Sequence, residues 1–590
     1  MRTWKVRELA PQNYLNSFAE LPGILTQLLY NRGLKTQHDI DAFLNPEYGT
    51  GIHDPFLFRD MKKAVDRVTR AIDAKELITI YGDYDADGIT GSVVGSTVFR
   101  SLGLVEGTDY NVYLPDRFTE GYGVNAKALE FLAKNGTKIL ITVDCGITSI
   151  NEVAIANQLG VDVIITDHHS IPKVLPEAYA IMNPRLPEET YPCKLLCGAG
   201  TMYKFMQGLL KSFENSGRIA FGISRESVEK WLLDVVAIGT VADMVPLYEE
   251  NRIFVKYGLV VLEKTKRLGL QRMIENAGYA KSKAKPTTTL IGFQIAPRIN
   301  AAGRLEHSSV SYKLLMSEDP AEVPNLASSV ELANRQRQQI TEDIVNGAES
   351  QIANFSAEEA IIVVLGNDWP TGVVGVAASR IMQKYHKPTI IASHFNGQII
   401  GSGRSIPGFD MIATLREMGD EWFRNYGGHP MACGFTFSAE KNFDDFRREL
   451  ILRAGKKLTP DDIRPVLEIE AEVPFHEIDW ALFEQLEHLE PYGKDNPKPI
   501  FMVRDVIISD MFVVGKGEKH LKFSVEREHG PQKKRLPCIG FGLGFLLDQL
   551  SVGTAVDLAC EIDVNEWNGN RELQLNVKDV QVVARDKELS

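Results

Sequence analysis

Cysteine is scarce: six thiols, at positions 145, 193, 197, 433, 538 and 560, serve 590 residues. So sparse a set excludes a disulfide framework and fits a reducing compartment. Cys193 and Cys197 flank Lys194-Leu195-Leu196, but no second pair accompanies them, so packing rather than zinc binding is expected. Any 18-residue apolar run is missing too, and Met1 to Arg7 lead into Glu8 rather than into a signal-peptide core. Neither membrane insertion nor export is expected, and the cytoplasm is the expected location. There is no excess of positive charge either: 65 Lys and Arg face 78 Asp and Glu, a formal net charge of −13. That excludes a globally basic nucleic-acid coat and confines any polyanion path to local basic clusters with a strong salt dependence. No Gly-Lys-Ser/Thr follows the glycines at 372 and 375, which excludes a Walker-type ATP site. No internal repeat or low-complexity tract is evident.

Against these absences stand three strand-like runs that end in metal-ligand residue types. Leu77-Ile78-Thr79-Ile80-Tyr81 runs into Gly82-Asp83-Tyr84-Asp85-Ala86-Asp87-Gly88. Ile139 to Val143 runs into Asp144-Cys145-Gly146, and Val161 to Thr166 into Asp167-His168-His169. Helix-forming stretches separate them (Val93 to Leu104, Asn125 to Lys134, Asn151 to Leu159), which is the pattern of strand-helix-strand units around a parallel sheet. Ligands bind such sheets outside the carboxyl ends of the strands, so Asp85, Asp87, Asp144, His168 and His169 are expected along one rim. Paired histidines after a strand are more often ordinary loop residues, and the reading rests on the three runs together. Carboxylate mixed with imidazole, without thiolate, suits Mn²⁺ or Mg²⁺ better than structural zinc.

A further acid, Asp243, stands in Gly239-Thr240-Val241-Ala242-Asp243-Met244-Val245, read here as an apolar loop. A turn or N-cap acid is the plain alternative, but an acid among apolar residues is costly to bury unless paired or coordinated. Together the set offers enough ligands for two ions about 4 Å apart, the arrangement suited to in-line attack on phosphate. Asp144 and Asp243 are the candidates to bridge them. Gly401-Ser402-Gly403-Arg404-Ser405 combines small residues, a hydroxyl and a forked cation in one turn, a phosphate-binding composition.

In order along the chain, these motifs, together with Ala296-Pro297-Arg298-Ile299-Asn300-Ala301-Ala302-Gly303-Arg304 and Gly427-Gly428-His429, resemble the DHH phosphoesterase superfamily. Within it the likeness is to bacterial exonucleases that digest single-stranded DNA from the 5′ end, and it covers nearly the whole chain. The resemblance implies Asp85, Asp87, Asp144, His168 and Asp243 as metal ligands. Asp83 is either a further ligand or a loop brace, and His169 either orients His168 or meets the scissile phosphate. Asp167 sets the strand end or a hydrogen bond. It further implies that Arg298, Arg304 and Arg404 clamp phosphate, with Asn300, Ser402 and His429 near the substrate. Arg117, in the turn-rich loop Pro115 to Gly123, is a candidate DNA contact. Catalytic roles fall to Asp144, His168 and His169, and the implied cofactors are two divalent ions, Mn²⁺ or Mg²⁺.

The expected architecture is multidomain α/β: an N-terminal arm over 1–50 packed on the catalytic domain, and a parallel-sheet DHH catalytic domain over 51–325. A long connecting helix over 326–354 follows, whose Asn334 to Gln338 face either lines a DNA groove or is simply solvated. A smaller α/β DHH-associated domain is expected over 355–462, and a C-terminal β-barrel of OB-fold type over 463–590, with a hairpin at Asn568-Gly569. Lys516, Lys519 and Lys522 with Phe512, Phe523 and Trp567 suit a base-stacking, phosphate-tracking surface, some of the aromatics filling the barrel instead.

The resulting expectation is a metal-dependent exonuclease that releases 5′-mononucleotides from single-stranded DNA during recombination and repair. By resemblance it acts as a monomer, in concert with a single-strand binding protein and a RecQ-type helicase. Rival readings are hydrolysis of pyrophosphate or short oligonucleotides, and a catalytically silent DNA-binding scaffold.

Overall fold

The computed structural model describes residues 2–583 except 118, 219–223, 280–284, 357, 530–531 and 568–569. It divides into two compact units, residues 48–464 and residues 1–47 with 465–590. The second grouping corrects the expectation of an arm packed on the catalytic domain. Strand β1 (Thr3–Val6) pairs in parallel with a strand near residue 466. Within the same unit Arg32 donates to Glu470 at 2.8 Å and to Asn496 at 2.7 Å, with both ion-pair side chains buried. Nothing local in the first residues signals partners more than four hundred positions away.

Residues 48–464 open with an α/β domain built on a parallel sheet. Its sheet contains β2 (Leu77–Gly82), β3 (Tyr110–Tyr113), β4 (Thr137–Val143), β5 (Asp162–Thr166) and β6 (Ala180–Met182) in the order β3-β2-β4-β5-β6, every pair parallel. Its central strands are β-branched, aliphatic and almost wholly buried, as a sheet covered on both faces requires. Where two threonines meet inside, Thr79 and Thr137 satisfy each other at 2.8 Å. Helices α1 (Ala86–Ser101), α2 (Gly198–Asn215) and α3 (Leu233–Ala242) pack together beside the sheet. Asp243 is the C-cap of α3, not part of a loop. Its apolar flanks are the end of a helix buried all round, which periodicity cannot distinguish from an irregular apolar segment.

Helix α4 (Ala296–Leu305) follows a single π-helical turn, Ile291–Ile295, and packs on the 30-residue helix α5 (Val323–Ile352). The smaller α/β domain has strands β7 (Ile362–Asn367), β8 (Thr389–Phe395), β9 (Gln398–Arg404), β10 (Phe423–His429) and β11 (Ala432–Phe437), in the order β10-β11-β9-β8-β7. Helix α6 (Thr371–Tyr385) covers β8 and β9 and also packs on α5.

In the other unit, β12 (Val466–Ile469) is the partner of β1, and β13 (Ala471–Glu472) extends β14. Strands β14 (Phe501–Val514), β15 (His520–His529), β16 (Gln532–Gly540), β17 (Ala555–Trp567) and β18 (Asn570–Val582) form a sheet that β14 and β17 close into a five-strand barrel. Strand β16 is hard to read from its residues, because Lys533, Lys534 and Arg535 mask its alternation. Trp567 and Asn570 pair across β17 and β18; the Asn568-Gly569 turn expected between them lies outside the described residues.

Candidate metal centre

The rim is built by register. Gly82, Val143, Thr166 and Met182 stand abreast at the carboxyl ends of their strands. The ladder continues one step further: Asp83 donates its amide to Val143, Asp144 to Thr166 and Asp167 to Met182. Three aspartates therefore leave the sheet at one level. At Asp144 the backbone turns sharply, with φ of 62°, a left-handed conformation that bulky residues adopt rarely and that concentrates at functional sites.

The remaining ligands come from helix ends. Asp85 caps α1, accepting from the amides of Asp87 and Gly88 at 2.9 and 3.2 Å. Asp87, within the first turn of α1, accepts from Gly198 and Ala199 at 2.6 and 2.9 Å, so its carboxylate rests on the positive N-terminus of α2. Gly198 is required there: a side chain would drive its Cβ into Asp144. The Gly198-Ala199 amides are functional groups that sequence reading missed, because backbone donors leave no side-chain signature. From α3, Asp243 completes the ring.

At the centre lies His168, its Nε2 3.1 Å from Asp144, 3.4 Å from Asp243 and 3.9 Å from Asp87. Three overlapping groups have donor atoms close enough to share an ion: Asp83, Asp85 and Asp144; Asp144, His168 and His169; and Asp87, His168 and Asp243. Asp144 and His168 each belong to two of them, and Asp144 is the carboxylate that links Asp83 and Asp85 to the histidines. Both His168 ring nitrogens, one Asp144 oxygen and one Asp83 oxygen are buried without a hydrogen-bond partner. Buried polar atoms are ordinarily satisfied, and hard divalent cations bind such a carboxylate and imidazole set. The residues present therefore fit divalent metal.

The electrostatics agree. Burial, then Asp87, Asp85 and Asp243, holds the Asp144 carboxyl well above the usual range, and burial with Asp85 does the same for Asp83. Asp87 is pushed up to about 6 by burial and Asp85 despite the amides it accepts from. Asp243 is pushed up to about 9 by burial, Asp87 and Asp85. So many carboxylates share so little space only if positive charge joins them. Burial and its neighbour His169 lower His168 to about 3, keeping it a neutral imidazole, the ligating form.

Asp167 takes the supporting role. It accepts from the amides of Ile147, His168 and His169, and its Oδ1 lies 2.8 Å from His169 Nδ1. Burial pushes Asp167 up, yet these bonds hold it down at about 2. Burial works against a charged His169, but the hydrogen bond to Asp167 and the surrounding carboxylates outweigh it and raise its pKa to about 9. Its half-buried ring edges Tyr122, whose hydroxyl donates to the Asp144 carbonyl at 3.2 Å. Tyr122 too was missed, as a loop tyrosine without a motif.

Facing this centre within the same unit are arginines without ion pairs among the described residues. Arg304, in the last turn of α4, donates to the Gly372 carbonyl at the start of α6 at 2.8 Å. Burial, then Arg117, Arg337 and Arg404, lowers its pKa to about 10, while Asp85 opposes them. Arg117 lies 5.0 Å from the Tyr84 ring centre; its loop neighbour Phe118 is outside the described residues. Arg404 and Ser402 project from one face of β9 against Gly375 of α6. His429 shares their register across β11 and is exposed. One expectation is corrected. Arg298 is committed to Glu331 at 2.8 Å and to Gln294, so it is a structural ion pair rather than a free clamp. Asn300 accepts from the Ala86 amide at 2.7 Å through its side-chain oxygen and so braces the first turn of α1.

Comparison with known proteins follows the same division. Profiles described as "DHH family, N-terminal domain", "DHHA1 domain" and "RecJ OB domain" match residues 77–240, 358–456 and 469–579. The chain is 36% identical to the single-stranded-DNA-specific exonuclease RecJ of Bacillus subtilis, over 98% of its own length and 70% of that protein's. It is 32% identical to the RecJ exonuclease of Dickeya dadantii, over 95% of this chain and 96% of the other. The structure of Thermus thermophilus RecJ solved in complex with Mn²⁺ superposes with a TM-score of 0.80 at 26% identity, covering 99% of this chain and 80% of that one. With identity above 30% over nearly its whole length to relatives that it covers to 70% or more, the chain belongs to the RecJ family of DHH proteins.

Proposed function

We propose that the chain is a metal-dependent exodeoxyribonuclease that digests single-stranded DNA from its 5′ end, releasing 5′-mononucleotides in recombination and repair. The observation that carries this reading is the run of overlapping ligand groups through Asp144, facing an arginine cluster in one compact unit. Asp83, Asp85, Asp87, Asp144, His168 and Asp243 would hold two divalent ions, Mn²⁺ or Mg²⁺. Bound there, the ions supply Lewis acidity and a water made nucleophilic at neutral pH. The residues do the rest. The α2 amides fix Asp87, and Asp167 fixes the His168-His169 backbone. His169, charged and half-exposed, donates toward an oxygen of the scissile phosphate as charge builds on it. Arg304 and Arg404, with Arg117, Ser402 and His429, hold the terminal phosphate and set which bond reaches the rim. A strand that reaches both halves threads between the two α/β domains, a path proposed to admit one strand and refuse two.

The barrel would carry the trailing strand: Phe512, Phe541 and Phe545 are exposed near Lys516 and Lys519, a stacking and phosphate-tracking surface. Phe523 is buried in the barrel core. All six cysteines are free and buried, which supports a cytoplasmic setting, and no helix among the described residues is long and apolar enough to cross a membrane. We extend the reading to a monomer acting beside a single-strand binding protein and a RecQ-type helicase. The test is digestion of a strand labelled separately at each end, single or annealed as a blunt duplex, with metal and with chelator. Early release of the 5′ label from the single strand alone, abolished by chelator, is expected; 3′ release or equal cutting of the duplex refutes it.

A further inference from the structure

We infer that Arg337 and Arg380 form a second backbone-phosphate site, between α5 and α6, that grips the strand downstream of its 5′ end. The inference rests on the exonuclease reading and deepens it. In a chain with more acids than bases, cationic side chains ordinarily find carboxylates. Glu331 illustrates this on the same helix, pairing with Arg298 at 2.8 Å and with Arg335 at 3.1 Å. Both of its oxygens are thereby used, and one turn and a half further on Arg337 has no ion pair among the described residues. Its only hydrogen bond among the described residues is to the Asn334 side chain at 2.8 Å, and its Nε is buried without a partner. Arg380, exposed on α6 where that helix packs on α5, has no ion pair among the described residues.

The electrostatics point the same way. Burial first, then the charges of Arg380 and Arg298, lower the Arg337 pKa. Arg337 in turn acts on Arg304, so its field is continuous with that of the arginines proposed to hold the terminal phosphate. Guanidinium groups gathered without carboxylates lack an anion that the protein does not itself provide. A guanidinium fork with an unused Nε-H matches two oxygens of a phosphodiester. Side chains on two rigid helices give that contact a fixed position, which a solvated surface arginine lacks. With Arg304 shared between the groups, the chemistry fits one polyanion running from the terminal-phosphate arginines onto α5.

The test uses the full chain with Mn²⁺ and 5′-phosphorylated oligothymidylates of increasing length, comparing KM and kcat for the unaltered chain, Arg337→Gln, Arg380→Gln and the double variant. A longer strand offers more backbone phosphates beyond the terminal one, so the second site should count for more as length grows from dinucleotide to octanucleotide. Each substitution should raise KM for the octanucleotide by about tenfold, the scale of one charged hydrogen bond, and the effect should shrink as the strand shortens. The salt dependence of octanucleotide binding should flatten by about 0.7 in log-log slope per lost phosphate contact. Arg380 is exposed, so Arg380→Gln gives a readout even if Arg337→Gln disturbs packing, and thermal melting reports that disturbance. KM raised equally at every length, or unaltered for the octanucleotide, overturns the second site. Failure of the unaltered chain to cut any strand would instead overturn the exonuclease reading.

Discussion

Asp144 leaves β4 in a left-handed turn, beneath Gly198, between His168 and the carboxylates of α1, and with a buried oxygen that has no hydrogen-bond partner among the described residues. Replacing it with asparagine should abolish strand cleavage and, because it removes repulsion and a buried charge, raise the melting temperature of the metal-free chain. Function and metal-free stability are opposed at this residue, and melting curves with and without Mn²⁺ check both halves. Asp167 touches no proposed ion, yet it fixes three amides and His169; Asp167→Ala should weaken metal binding or activity by about 10–100-fold, read as an apparent Mn²⁺ affinity. The raised carboxylates set a pH dependence. A group whose folded pKa lies above its unfolded value stabilises the fold fully below the unfolded value and loses that contribution as pH rises through the folded one. For Asp87 and Asp243 the window runs from 3.8 to about 6 and about 9. The metal-free chain should therefore melt lower as pH rises through that window, less steeply in Asp243→Asn, and Mn²⁺ affinity should rise over the same range as protons are displaced.

Elements place these residues, and here the limits of sequence reading are physical. The strands ending at Gly82, Val143 and Thr166 were legible because a fully buried parallel strand reads as an unbroken β-branched run, and the acids after them fall on the rim by topology alone. Asp243 was read as a candidate ligand but placed in a loop, since a wholly buried helix has no amphipathic period. Strand β16 was hidden by its lysines, and the pairing of β1 with β12 by its long separation in sequence. Arg298 and Arg304, six residues apart in one motif, looked alike; only the structure shows Glu331 beside the first and the start of α6 beside the second. The N-terminus of α2 offers a direct test. Gly198→Ala should force the helix away from Asp144, cost about 1–3 kcal/mol in stability and release Asp87 from its amides. Urea unfolding gives the first effect and Mn²⁺ titration the second.

For the whole molecule, the charge balance and the site are one problem. In the proposed function, a chain of net charge −13 meets a polyanion with arginines that have no ion pair among the described residues, in the same unit as a rim of acids, so that metal would join one half and phosphate the other. Ligands that bind only the folded state stabilise it by mass action, so Mn²⁺ and a 5′-phosphorylated strand should each raise the melting temperature, and together more than either alone. The central claim is that hydrolysis needs two ions held around Asp144. It is tested most directly by titrating Mn²⁺ into the metal-free chain while following 5′-nucleotide release and bound metal together. The account predicts little activity with the first ion and a steep rise that completes at two ions per chain; full activity with one ion, or with none, would contradict it.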